Sequence, residues 1–423
     1  MTSSTPTARN PKIVLAMLFL VYVFNFLDRQ ILGILAQPIK ADLALSDAQF
    51  GALGGIAFAL LYSVLGVPMA VLADRTSRSG VIAVSLVVWS AFTAACGMAG
   101  SFLQLFLFRL GVGIGEAGGT APSYALISDY FPPEKRARAL AIYSLGVPVG
   151  LAFGVLLGAY IAQLVNWRVA FIVVGVAGVA LAPFFRWLVR DPPRAKPIAP
   201  VAAAEPQAGG TAFGILARKP TFWLLAVAAG CSSLTGYGLA LWTPSVMIRS
   251  YGFDLITTGQ FMGSLLLIGG VGGVVAGGWF ADRLGHANHR WYPRLPAIAW
   301  IITVPTFAAG LLAPTATIAW PLLLIPNALN ILWLGPVTTA VQHLVPTRMR
   351  ATASGSFLLI NNLLGLGVGP LLMGSLSDWL KGSYGAESLR YAAVACLGFY
   401  LIASVLAMIA VRTIDRDWVS EDH

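Results

Sequence analysis

Charge is what this sequence lacks most. Only 10% of its 423 residues are Asp, Glu, Lys or Arg, against about a quarter in a soluble domain. That excludes a polar surface large enough to keep the chain dissolved in water. Cysteine is almost absent: Cys96, Cys231 and Cys396 all fall inside apolar runs, where they read as small packing residues and say nothing about redox compartment. Histidine is nearly as scarce. His286 and His289 lie three apart, with no cysteine and no acidic group beyond Asp282 beside them, so they read as solvated loop residues and no metal site is expected. No glycine-rich loop ending in Gly-Lys-Ser/Thr occurs, which argues against ATP hydrolysis. No nucleophile–base constellation marks an enzyme.

What the sequence has in quantity is apolar runs, with 57% of residues hydrophobic. Runs of about 20 residues span a bilayer as helices. Twelve are placed at 13–37, 48–73, 81–100, 103–131, 139–164, 169–189, 222–248, 257–281, 295–312, 318–344, 353–376 and 389–411. They are continuous rather than alternating, which favours helices over a barrel. The first run is too long for a signal-peptide core and has no clear cleavage site. The net charge of +10 follows the same topology. With an even number of spans both termini share one side; that side carries 20 of the 27 Lys and Arg, the other carries Lys40, Arg168, Arg249, Lys381 and Arg390, and Arg29 and Arg109 lie within spans. Basic loops stay cytoplasmic, so a multi-pass inner-membrane protein with both termini inside is expected, with lipid and not nucleic acid as its surroundings.

Residues 190–220, rich in Pro and Ala, read as a cytoplasmic linker between an N-terminal bundle, 1–189, and a C-terminal bundle, 221–423. The halves repeat one another. Ala73-Asp74-Arg75 after the second run matches Ala281-Asp282-Arg283 after the eighth, and Pro132…Arg136-Ala137 after the fourth matches Pro346…Arg350-Ala351 after the tenth. The fold class expected is therefore an all-α membrane protein of twelve transmembrane helices in two pseudo-symmetric six-helix bundles.

At these residues the chain resembles the major facilitator superfamily. Gly66…Leu72-Ala73-Asp74-Arg75…Arg78 is similar to its signature between the second and third spans, with Ala70 in place of the usual glycine. Arg109-Leu-Gly111-Val-Gly113 resembles its fourth-span motif and Asn166-Trp167-Arg168…Phe171 its sixth-span entry. The resemblance implies two bundles rocking about a central cavity lined mainly by spans one, four, seven and ten. A narrower likeness, to spinster-type transporters, is carried by Asn25-Phe-Leu-Asp28-Arg29-Gln30, Pro38-Ile-Lys40-Ala-Asp42, Ser46-Asp47…Gln49-Phe-Gly51, Ala57…Tyr62 and Glu116. Animal members of that family export lysolipids and sphingoid phosphates; related carboxylate and sugar-acid carriers share parts of the pattern.

An ionisable side chain in the hydrocarbon core costs several kcal/mol and is a functional candidate. Four stand out, Asp28, Arg29, Arg109 and Glu116, all in the N-terminal half. Tyr22, Asn25, Arg29, Gly33 and Gln37 recur at helical spacing as one polar stripe, with Asp28 about 100° round the helix. Arg109, Gly113, Glu116, Thr120 and Ser123 form another. Carboxylates at two depths beside arginines suit a proton relay, so Asp28 and Glu116 are the expected proton-coupling pair, the proton being the coupling ion and no other cofactor expected. The alternative is a permanent set of ion pairs that fixes the bundle. The C-terminal half offers neutral groups instead, among them Ser232, Ser233, Thr235, Tyr237, Thr243, Asn327, Asn330, Asn361 and Trp333. Most suit helix–helix hydrogen bonds. A cavity charged on one wall and apolar on the other fits an amphipathic solute, its head near Arg29, Asn25, Tyr22, Arg109 and Thr120, and its chain near Tyr237, Trp333 and Asn361. Asp74, Arg75, Arg78, Asp282 and Arg283, at helix ends on the terminal side, are the expected gating residues. Glycine ladders at 146, 150, 154 and 158 and at 269, 273 and 277 mark surfaces of close approach, expected where span five meets span eight and one bundle slides on the other, or else as static packing. The chain is expected to act as a monomer.

Overall fold

The computed structural model describes residues 10–192, 212–285, 288–330, 332–346 and 349–419, and of residues 212, 213, 277–285 and 351 the backbone alone. Span one, Pro11–Ile34, starts where the Asn10 side chain accepts a hydrogen bond from the Lys12 amide (3.0 Å) and Pro11 opens the helix, both standard N-terminal devices. A short helix, Ala36–Leu43, continues it. Span two is Asp47–Gly54 followed by Ile56–Arg75. Spans three to six are Arg78–Cys96, Phe102–Glu116 with Thr120–Tyr130, Pro133–Ser144 with Gly146–Leu164, and Trp167–Leu188. After the short helix Ala212–Ala217 come span seven, Pro220–Tyr251, span eight, Leu255–Gly285, and span nine, Trp291–Leu311. Span ten is Ala316–Leu329 with Leu334–Gln342, and span twelve Ser388–Cys396 with Gly398–Asp417. Span eleven runs Arg350–Asn362, a π-helical turn Leu363–Val368, and Gly369–Tyr384.

Among the described residues ten helical stretches are long and apolar enough to cross a membrane; Thr352–Asp417 holds two spans, and Phe102–Tyr130, broken at its middle, completes the twelve. Apolar periodicity predicts unbroken helices. The structure interrupts several of them, because freed backbone groups are tolerated in a membrane wherever they are buried against protein. Gly55 shows the reason for one break: a Cβ there would lie 2.5 Å from the Gly367 carbonyl oxygen of span eleven, so only glycine lets the two backbones approach.

The even number of spans puts Asn10 and Val419 on one face, called terminal here, opposite the distal face. Large apolar side chains such as Val67, Val84, Leu164 and Val176 point outward and are more than half exposed, as a lipid-facing surface requires.

The glycine ladders serve a different contact from the one expected. Gly146, Gly150, Gly154 and Gly158 press on Tyr22, Val23, Leu27 and Ile31 of span one, within the same bundle, and Gly269 and Gly273 on Asn327 and Ala328 of span ten. Span five does meet span eight, but through Pro148, Val155, Leu156 and Ala159 against Gly259, Gly263 and Gly270. The ladders point about one residue's rotation away from that seam, so they lock each bundle internally. Gly154→Val would drive a branched side chain into the Leu27 carbonyl, 2.6 Å from the position of a Cβ. We expect a loss of about 1–3 kcal/mol, read as a lower apparent melting temperature in detergent; unchanged melting would contradict the packing role.

Candidate functional site

Span one turns two adjacent charges onto different faces, as consecutive positions about 100° apart must be. Asp28 points into the N-terminal bundle, is 1% exposed, and accepts a hydrogen bond from Thr93 of span three at 3.3 Å. It makes no ion pair among the described residues. Arg29 faces the centre. Its Nε donates to Glu116 Oε2 at 2.7 Å, with the arginine side chain 14% exposed and the glutamate fully buried. Glu116 lies two turns nearer the terminal face than Arg109, a rise of about 10 Å, which two extended side chains can bridge from Arg29's depth.

An aromatic cage surrounds the guanidinium. Arg29 sits 4.9, 4.8 and 4.5 Å from the ring centroids of Phe26, Phe58 and Tyr62, geometry in which ring quadrupoles stabilise a cation. Tyr22 stacks on Tyr143 at 4.2 Å and meets Phe26 edge-on at 5.0 Å, and Tyr124 meets Tyr143 at 5.5 Å. Tyr237 of span seven, in the other bundle, is half-buried. Arg109 lies 5.3 Å from the Phe58 ring on the far side of the cage and is 2% exposed. Behind Arg29, in spans one, three and four, polar atoms without hydrogen-bond partners collect: Asn25 Oδ1, Asp28 Oδ1, Ser85 Oγ, Trp89 Nε1, Ser90 Oγ, Arg109 Nε and Glu116 Oε1. Among the described residues, Arg29 and Glu116 are the two of the four core charges that form an ion pair. Thr120 is half-buried where span four resumes.

The C-terminal wall spends several of its polar groups on itself, while Ser232 Oγ and Ser245 Oγ are buried without a hydrogen-bond partner among the described residues. Ser233 donates to Asn361 Oδ1 at 2.8 Å, Thr235 to the Cys396 carbonyl at 2.8 Å, Thr243 to the Leu239 carbonyl at 2.6 Å and Asn327 to the Leu323 carbonyl at 2.8 Å, while Asn330 accepts from Tyr400 at 3.0 Å. Asn361 is thus an interhelical tie, and Trp333 packs edge-on to Phe357 at 6.4 Å.

A charge cluster that sequence reasoning did not single out joins the bundles at the distal end. Arg249 of span seven donates to both carboxylate oxygens of Asp47 at 2.8 and 2.6 Å and to Gln37 at 3.2 Å. Asp47 also pairs with Lys40 and accepts from Ser377 of span eleven at 2.7 Å. Asp378 accepts from the Asp47 and Ala48 amides at 3.1 and 2.7 Å, capping the start of span two from the other bundle. Below this seal Gln30 donates to the Ala240 carbonyl at 3.1 Å, and Gly33, Gly51 and Gly54 press against spans seven and eleven. In the terminal halves, by contrast, a Cβ at Gly66, Gly272 or Gly355 would meet no atom within 4 Å. The described hydrogen bonds and close backbone approaches between spans one and two and spans seven and eleven thus gather toward the distal end. The signal was legible in principle: Asp47, Arg249 and Asp378 stand at span ends of equal depth with opposite charge. Arg249 reads from sequence only as a loop cation.

At the terminal face Arg78 pairs with Asp74 at 2.7 Å and with Asp129, both in its own bundle, and Arg75 is exposed. The side chains of Asp282 and Arg283, the other expected gating residues, lie outside the described residues. Among the described residues no cluster of His, Cys, Asp and Glu could hold a metal ion.

Twelve spans enclosing a caged, partly exposed charge, sealed at one end, define a membrane transporter. The chain belongs to the Major Facilitator Superfamily, whose family model matches residues 18–370, and within it to the spinster-type branch. A bacterial homolog of the human lysosomal transporter Spinster, solved in an inward-facing, unoccupied conformation, superposes with a TM-score of 0.85 at 31% identity, covering 97% of this chain and 99% of that one. An MFS-type efflux pump of Mycolicibacterium smegmatis is 33% identical over 405 residues, covering 96% of this chain and 93% of the relative. The hexuronate transporter of Bacillus subtilis is 26% identical over 372 residues, covering 86% and 87%.

Proposed function

We propose that the chain is a proton-coupled secondary transporter, working by alternating access, of an amphipathic solute with an anionic head, of the lysophospholipid or sphingoid phosphate type. The observation that carries the reading is Arg29. Among the core cations of the described residues it is the one whose side chain is partly exposed, it is held by the buried carboxylate of Glu116, and several neutral hydrogen-bonding groups of the opposite wall are engaged within that wall. An anionic head competes with Glu116 for the guanidinium, and an acyl chain lies on apolar surface with no groups to desolvate. A sugar would need free donors and acceptors on both walls.

Displacement by substrate frees the Glu116 carboxylate in a dry site, where an unpartnered charge is costly and a proton is the available neutraliser. Asp28, buried without an ion pair and joined to Glu116 through a polar interior, is the second carrier of that proton. Arg109 and Asn25 tune this interior rather than touching substrate, and Tyr22, Tyr62 and Tyr237 bound the head-group pocket. The terminal face, which bears the excess of Lys and Arg, is cytoplasmic in the inner membrane. On that orientation the distal contacts would correspond to an inward-facing state, as in the Spinster homolog, and the relative described as an MFS-type efflux pump supports export.

The second reading, a carrier of small organic anions, rests on the hexuronate transporter among the relatives and on the same arginine. Thermal stabilisation of purified protein separates the two. A lysophospholipid is expected to raise the apparent melting temperature, the Arg29→Gln variant losing the effect. Protection by hexuronate and simple carboxylates with none by lysolipid would reverse the assignment.

A further inference from the structure

Away from the central passage, a cavity of about 610 Å³ opens at the terminal-face ends of spans three and six, lined by Ser77, Ser79, Arg186, Arg190 and Asp191. Its floor is built by local hydrogen bonds. Ser77 caps span three, its Oγ accepting from the Gly80 amide at 2.9 Å, and the Ser79 amide donates to Asp191 Oδ1 at 2.9 Å. That second bond ties the chain leaving span six to the start of span three. Tyr130 fixes the same stretch by donating to the Arg190 carbonyl at 2.6 Å. Arg186 and Arg190, four residues apart at the end of span six, therefore overhang one cavity.

Neither guanidinium has a hydrogen-bond or ion-pair partner among the described residues, although their neighbour Arg78 is held by Asp74 and Asp129. Asp191, the one carboxylate in the lining, is engaged at the span-three amide, so the cavity keeps a net positive charge beside the positive end of a helix. On the membrane side the lining gives way to exposed apolar surface: Phe184 is 61%, Trp187 63% and Val84 63% exposed. Spans three and six pack on each other and turn these faces outward, so the cavity borders lipid and is separate from the transport pathway.

We propose that this cavity binds the head group of an anionic phospholipid of the terminal-face leaflet. The phosphodiester sits between Arg186 and Arg190, within reach of the Ser77 hydroxyl, and the acyl chains run along Phe184 and Val84 with the Trp187 indole at the interface. Guanidinium pairs bind phosphate through two parallel hydrogen bonds, and the apolar flank commits the site to a lipid rather than to free phosphate. An occupied site braces the start of span three next to the Asp74–Arg78–Asp129 pairs.

The test uses the full-length protein in detergent, titrated with phosphatidylglycerol, phosphatidylcholine or inorganic phosphate and read by native mass spectrometry of retained lipid and by thermal denaturation. Phosphatidylglycerol is expected to be retained in preference to phosphatidylcholine and to raise the melting temperature. The double variant Arg186→Gln, Arg190→Gln should bind it about tenfold more weakly while melting like the parent without lipid. Arg138→Gln with Arg412→Gln, which removes equal charge from exposed positions elsewhere on that face, should leave binding unchanged. Equal loss in both double variants, no preference over phosphatidylcholine, or protection by inorganic phosphate matching that by phosphatidylglycerol overturns the proposal.

Discussion

Glu116→Gln should abolish proton-driven accumulation of a lysophospholipid in proteoliposomes while substrate still binds. The amide keeps the shape of the side chain and can accept one hydrogen bond from Arg29, but it carries no charge and exchanges no proton. In the parent the 2.7 Å pair neutralises both groups inside the bundle. In the proposed cycle an anionic head takes the guanidinium and the freed carboxylate takes up a proton, which would link substrate and proton movements. Glutamine removes the link. A coupled rate that depends on about 3 kcal/mol of differential stabilisation falls about a hundredfold. Binding of the head is expected to be equal or tighter, because Arg29 loses its internal competitor. Asp28→Asn should lower coupled transport as well but leave binding unaltered, since Asp28 faces Thr93 and not the centre. Retention of gradient-driven uptake in Glu116→Gln would remove the relay from the account.

The second large effect concerns the distal seal. Arg249→Gln breaks the two-point pairing with Asp47 and the contact with Gln37, leaving Asp47 to Lys40 and Ser377 within the network. Those bonds exist only while the bundles are closed at that end, so their loss favours the opposite state. The shift can be followed at Ala240→Cys, whose backbone carbonyl, not its side chain, receives Gln30, in a background with Cys96, Cys231 and Cys396 replaced. An impermeant thiol reagent applied from the distal side should react about tenfold faster in the Arg249→Gln variant, a shift of about 1.4 kcal/mol in the state equilibrium. Asp74→Asn should act the other way, because in the alternate state a carboxylate at that helix end is positioned to cap a helix of the facing bundle. Equal labelling in all three proteins would show that neither cluster gates.

The fold was legible because lipid imposes one rule, that backbone groups be satisfied within helices, and long apolar runs obey it openly. The interruptions were not legible, since a break such as that at Gly55 depends on the Gly367 carbonyl of a span some 300 residues away. Within the site, the placing of Asp28 and Arg29 on different faces of span one followed from helix geometry alone. The selective pairing of Arg29 with Glu116 did not, because depth along a helix leaves open which of two arginines reaches a given carboxylate. The hydrogen bond that Asn361 Oδ1 accepts from Ser233 was equally hidden, since two helices must be placed before it can be read. The glycine ladders were correctly read as close contacts and assigned to the wrong neighbour, a matter of about 100° of rotation that periodicity cannot resolve without a partner. The distal cluster was hidden for a related reason: charges at span ends look like ordinary loop charges until the ends are brought together.

Central to the account is that substrate and protons move together through the charges of span one and span four. The most direct measurement is proton flux in proteoliposomes loaded with a pH-sensitive dye, recorded as lysophospholipid is added without an imposed gradient. The account predicts a substrate-dependent pH change in the parent, lost in Glu116→Gln and Asp28→Asn. Substrate movement at the parental rate with no accompanying proton flux would contradict it.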